Sequence, residues 1–125
     1  MLGEQGATVY VTARTVNAGE HPLPGTIAET VAEVERRGGK AIGVQLDLAD
    51  DGAIAALFER VRAEQGRLDI LVNNALAIPD SMTERKGFWE KPLEDEWQIW
   101  DTGVRAAFIA AHHAAKIMVP QKSGL

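Results

Sequence analysis

The sequence predicts an α/β fold, a partial doubly wound parallel sheet, and three observations carry that expectation. Short β-branched runs alternate with stretches of helical period. The crossovers between successive runs have lengths that only parallel strands require. The long irregular segment, residues 76–95, follows the carboxyl end of a strand, where open α/β sheets bind ligands.

Each element has its own reason. Ala7-Thr8-Val9-Tyr10-Val11-Thr12, entered through Gly6, is β-branched and aromatic and reads as a strand buried on both faces. Residues 15–25 carry Asn17, Gly19, Pro22, Pro24 and Gly25, which forbid regular structure and make a loop. Thr26-Ile27-Ala28-Glu29 has the form of a capping box, and Ile27, Val31 and Val34 continue one helical face before Gly38-Gly39, so a helix spans 27–37. Residues 41–46 form a second strand. Asp50 then caps a helix with the stripe Ile54, Leu57, Phe58 and Val61, which ends near Gly66. Residues 68–72 are a third strand running into Asn73-Asn74-Ala75. From Trp97 onward, apolar or small residues at 97, 100, 104, 108, 111, 115 and 118 mark one face of a long helix that stops before Pro120.

Composition bounds the function classes. The chain has 125 residues, 13 Lys+Arg against 18 Asp+Glu, a net charge of −5 and 46% hydrophobic residues, the profile of one soluble domain over residues 1–125. Acidity without a basic block argues against a nucleic-acid partner. The absence of cysteine excludes disulfides, thiolate nucleophiles and Cys-ligated metals, and points to the cytoplasm. The apolar stretch 104–120 is broken by Arg105, His112, His113 and Lys116, and Met1-Leu2-Gly3-Glu4 opens no signal sequence, so no membrane association is expected.

The most specific constellation is Gly66-Arg67-Leu68-Asp69-Ile70-Leu71-Val72-Asn73-Asn74-Ala75, preceded by Asp47-Leu48 after the second strand. With Gly6-Ala7-Thr8-Val9-Tyr10-Val11, Gly38-Gly39-Lys40-Ala41 and Phe88-Trp89-Glu90 ahead of Pro92, it resembles the short-chain dehydrogenase/reductase family over nearly the whole chain. The resemblance extends to a subgroup sharing the Phe-Trp-Glu segment and the Gly-x-Arg of Gly103-Val104-Arg105. It implies a Rossmann-like fold containing the family's second, third and fourth strands, the first and the fifth to seventh being absent. The missing first strand would lie between 8–12 and 68–72, and buried edges left unpaired would make the isolated chain marginal, aggregation-prone or rescued by association.

The implied site is that of a nicotinamide dinucleotide. In such sheets an acidic residue at the end of the second strand binds the adenosine ribose and selects NAD. Here Ala13 stands at that point and Arg14 follows; an Arg fork pairs with a 2′-phosphate, so NADP is favoured over NAD. Thr15 or His21 in the adjoining loop could assist. By resemblance Asp47 bonds the adenine edge, Leu48 adds a backbone contact, Asn73 and Asn74 shape the cofactor cleft, and Ala75 lies beside the ribose. The chain departs from the family pattern at Leu76, usually Gly, and at Gly103, where many members hold a proton-relay water with Asn.

Other candidates have plainer readings. Trp97 and Trp100 suit core or dimer packing. His112 and His113 point about 100° apart on a helix and cannot chelate one ion, so one packs and the other is solvated. Asp50-Asp51 and Glu94-Asp95-Glu96 suit helix N-termini.

Tyr10 is the only tyrosine, and no Tyr-x-x-x-Lys can be written. The family's Gly-rich phosphate turn would lie upstream of residue 2, and its catalytic Ser, Tyr and Lys beyond residue 125. No catalytic residue and no metal ligand is therefore assigned. The expected function is a segment of an NADP-preferring oxidoreductase acting on a small carbonyl or alcohol, carrying the adenosine half of the cofactor site. It assembles as a homo-oligomer through the long helix. The alternative is a non-catalytic pseudoenzyme fragment or interaction module.

Overall fold

The computed structural model describes residues 2–16 and 25–125, in two compact units, Met1–Asp47 and Leu48–Leu125. Asn17, Gly19, His21, Pro22 and Pro24, expected in a loop, lie outside the described residues.

In the first unit β1 (Thr8–Ala13) and β2 (Lys40–Gln45) form a two-stranded parallel sheet joined through α1 (Ile27–Arg36). The register runs from Thr8 opposite Lys40 to Ala13 opposite Gln45, and the Leu46 N–H adds a rung to the Ala13 carbonyl at 2.9 Å. Thr26 caps α1 as its residue type predicts, Oγ1 accepting from the Glu29 N–H at 3.1 Å. The amides of Ile27 and Ala28 donate to the Thr15 and Val16 carbonyls, so donors that a helix start leaves orphaned are used by the segment leaving β1. The chain then turns through Gly38 at φ +80°, a conformation that a Cβ disfavours. Ile27 is buried against β2, where Gly43 makes room: a Cβ there would collide with Ile27 Cγ2.

The second unit is helical. Asp50 caps α2 (Asp51–Gln65), its Oδ1 accepting from the Ala53 N–H at 3.0 Å, and Gly66 ends it in the left-handed region. Ile54, Phe58 and Val61 are buried, as expected; Leu57 is half-buried. α2 packs on α4 (Ala106–Gln121), whose buried face is Ala106, Ala110, Ala114 and Ile117.

The stripe expected from periodicity is the other face of this helix. α3 (Leu93–Trp100) begins directly after Pro92 with Glu94, Asp95 and Glu96 in its first turn, and a π turn, Asp101–Arg105, joins it to α4. Both faces of α4 are apolar, and the alanines, which let two helices approach closely, face α2. Trp97 (63% exposed), Trp100 (58%), Val104 (52%) and Phe108 (74%) face outward, so the two tryptophans are not core residues of this unit. Pro120 does not stop α4 either. It sits in the last turn, where the lost hydrogen bond is confined to the helix end, and Lys122 at φ +54° closes the helix.

The third expected strand, 68–72, is extended but belongs to no sheet among the described residues. The Leu125 N–H donates to the Asp69 carbonyl at 2.9 Å and the Leu71 N–H donates to the Leu125 carbonyl at 2.8 Å. That is one rung of a parallel pattern, and one rung makes no ladder. Gln121 holds the start of the segment, its Oε1 accepting from the Leu68 N–H at 3.3 Å and its Nε2 donating to the Leu68 carbonyl. Residues 76–95 are irregular apart from two short 3-10 turns, Asp80–Thr83 and Phe88–Glu90, and the start of α3.

Candidate functional site

Parallel strands bring their carboxyl ends to one edge. Ala13 and Gln45 are paired, so Arg14, next after β1, and Asp47, two residues past β2, share that edge of the first unit. The Arg14 peptide is pinned: its carbonyl accepts from Gln45 Nε2 at 2.9 Å, and the following carbonyls, Thr15 and Val16, accept the first amides of α1. The side chains of Arg14 and Asp47 are exposed. One sheet edge thus presents a guanidinium fork on a fixed backbone together with a carboxylate, donors for a phosphate and an acceptor for an amine.

Leu48, Asn73, Asn74 and Ala75 belong to the second unit. Leu48 is half-buried, and its carbonyl accepts from Arg105 Nη2 at 3.0 Å. Arg105 also bonds Asp51, and its Nε donates to Asp101 Oδ1 at 2.9 Å. The carboxylates of Asp51 and Asp101 hold the guanidinium above its ordinary pKa. In the sequence Arg105 stands out only as part of Gly103-Val104-Arg105 and carries no expected site role. The available signal was a cation four residues after an aspartate, at the start of an apolar helix.

Asn73 Nδ2 donates to the Ala107 carbonyl at 3.4 Å, tying the end of the extended segment to α4. Asn74 and Ala75 are exposed beside it. At the segment's start Arg67 donates to both carboxylate oxygens of Asp69 at 3.0 Å, which lowers the Asp69 pKa. The two departures from the family pattern meet: a Cβ built on Gly103 would stand 3.9 Å from Leu76 Cδ1, in ordinary contact. A large residue at 76 therefore lies against a small one at 103.

His113 stacks on Phe58 at 5.9 Å between ring centroids, while the exposed His112 meets His113 edge-on at 5.4 Å, one packed and one solvated. Among the described residues no group of His, Cys, Asp or Glu is placed to hold a metal ion, and no helix is long and apolar enough to cross a membrane.

The short chain dehydrogenase family model matches residues 1–125. Dehydrogenase/reductase SDR family member 1 of Mus musculus is 37% identical over 131 residues, and its Homo sapiens counterpart is 35% identical over 127. Each alignment covers 99% of this chain and 38% of the relative, so the chain spans 38% of the length of these curated proteins. The crystal structure of a metagenomic short-chain oxidoreductase in complex with NADP is similar at a TM-score of 0.76 and 30% identity, over 98% of this chain and 50% of that one. The parallel strand pair with its helices is a partial Rossmann-like fold, and the chain belongs to the short-chain dehydrogenase/reductase family.

Proposed function

We propose that residues 1–125 are the adenosine-binding part of an NADP-preferring short-chain oxidoreductase that interconverts a small carbonyl and an alcohol. The observation that carries this reading is Arg14, an exposed guanidinium on a pinned backbone at the carboxyl edge of the parallel pair. No carboxylate precedes it, since Ala13 ends β1, so nothing at that residue repels a 2′-phosphate. The NADP bound by the metagenomic relative supports the same choice.

Arg14 pairs with the 2′-phosphate, Asp47 accepts from the adenine amine, and Leu48 covers the base. Asn73 steadies the extended segment whose end, Asn74 and Ala75, lines the ribose side. A bound nicotinamide supplies the hydride. The protein's part in this span is binding, because its only tyrosine, Tyr10, is a half-buried residue of β1 paired with Ile42. The protein acts in the cytoplasm, and the exposed face of Trp97, Trp100, Val104 and Phe108 supports a homo-oligomer through the long helix. The same face favours the second reading, a non-catalytic interaction module.

Equilibrium titration of the purified chain with NADPH and NADH separates the two. Tighter binding of NADPH is expected. Equal affinities refute the NADP preference, and self-association with no nucleotide binding leaves the interaction module.

A further inference from the structure

Arg105 closes the π turn and reaches out of its own helix. Its three guanidinium nitrogens serve three acceptors: Nε the carboxylate of Asp101, Nη1 that of Asp51 at the start of α2, and Nη2 the carbonyl of Leu48. Asp101 orients the group, Asp51 neutralises it, and an N–H of Nη2 goes to a neutral acceptor. A planar fork satisfies three such directions at once, whereas an ammonium of similar reach cannot. The Arg105 side chain is 33% exposed, against 61% and 59% for the two aspartates, so the hydrogen bond to Leu48 lies on the sheltered side of the network.

The Leu48 carbonyl belongs to the turn that enters α2. At the far end of that turn Asp50 is fixed by its cap to Ala53. With Leu48 held by Arg105, both ends of a three-residue turn are tied, one to its own helix and the other to the π turn between α3 and α4. π turns inside helices are frequent at functional sites.

We infer that Arg105 is a positioning residue for the adenosine half-site, holding the Leu48 turn in the shape that adenine meets. The inference rests on the cofactor reading above, and it adds a residue of the π turn between α3 and α4 to the determinants of nucleotide affinity. Loss of the fork frees the Leu48 peptide to rotate and weakens every ligand that carries adenosine.

The test uses the full chain with AMP and NADPH as probes, calorimetry for affinity and carbonyl-carbon NMR at Leu48. Arg105→Met should weaken both probes by about ten-fold, the size of one lost charged hydrogen bond. The Leu48 carbonyl resonance should move upfield as it loses its donor. Arg105→Lys, which keeps the charge without the fork, should restore neither readout and serves if the Met variant folds poorly. Asp101→Asn leaves the Leu48 donor in place and should change affinity by about two-fold or less, as an exposed pair within one helix does. Native AMP affinity in R105M or R105K overturns the inference and leaves the adenosine reading intact. Failure of the unmodified chain to bind either probe overturns both.

Discussion

Replacing Arg14 by alanine should abolish any preference for NADPH over NADH. The side chain is exposed, but its backbone is held by the Gln45 amide and flanked by carbonyls that α1 uses, so phosphate binding orders only the side chain. Hydrogen bonds from a guanidinium fork to phosphate contribute about 1.5–3 kcal/mol, and exposure puts this one at the lower end. A loss of about 1.5 kcal/mol weakens NADPH roughly ten-fold. NADH, without the 2′-phosphate, should bind R14A as it binds the native chain, and R14K should fall between, keeping the charge but not the fork. The preference should also shrink with salt, because the screening length drops from about 10 Å at 0.1 M to about 3 Å at 1 M. Fluorescence titration of both nucleotides at two salt concentrations reads all of this. An R14A variant with the native ratio of affinities, or a preference indifferent to salt, refutes the assignment.

Four further outcomes follow from the packing and charge. Ile54, 1% exposed in the α2–α4 contact, should cost about 3 kcal/mol on replacement by alanine, read as a lower urea midpoint at unchanged slope; a loss under about 1 kcal/mol contradicts that packing. Gly103→Ala should raise stability by roughly 0.5–1 kcal/mol in thermal melts, since a Cβ there meets only Leu76 at ordinary contact distance; a lower melting temperature refutes the open space. Glu33, bonded to Arg36 and Arg37, has its pKa lowered from 4.5 to about 2. Its folded pKa lies below the unfolded one, so its stabilising contribution is complete above pH 4.5 and is lost as pH falls through 2; E33Q should flatten the stability profile in that window, and an unchanged acid limb refutes the pairing. The native chain should self-associate in sedimentation, and Phe108→Glu, placed on the exposed apolar face, should reduce that association; a monomer at all concentrations contradicts it.

Local chemistry was legible from the sequence and partner choice was not. Thr26, Asp50 and Gly66 bound their helices where the residue types put them, because a cap is decided within one turn. The face of the long helix was misjudged because both of its faces are apolar. Periodicity marks an apolar stripe but does not say whether bulky or small residues win a given contact, and here α2 accepts the alanines. Strand alternation puts Arg14 and Asp47 just past the ends of their strands, while their cofactor roles come from the family resemblance. The clamp of Arg105 on Leu48 was invisible, since it joins residues 57 positions apart through a π turn that no pattern announced.

Residues 68–72 show how far fold logic survives without a ladder. β-Branched and aliphatic residues make the segment extended, but Ile70 (41%) and Val72 (67%) remain exposed, and among the described residues only Leu125 supplies a rung. What holds the segment is α4: Gln121 grips Leu68, and Asn73 reaches Ala107. The start of the extended run is therefore tied to the end of the helix, and the end of the run to the helix's beginning. Five residues of strand rise about 17 Å and fourteen of helix about 21 Å, so two clamps in that sense fit an antiparallel strand and helix of similar length. A crossover of that sense returns the chain to the starting end of the strand, pointing the same way. Leu125 does this, bonding Asp69 and Leu71 in the parallel pattern. The α/β order is thus specified by the crossover itself, before a neighbouring strand turns the extended segment into sheet.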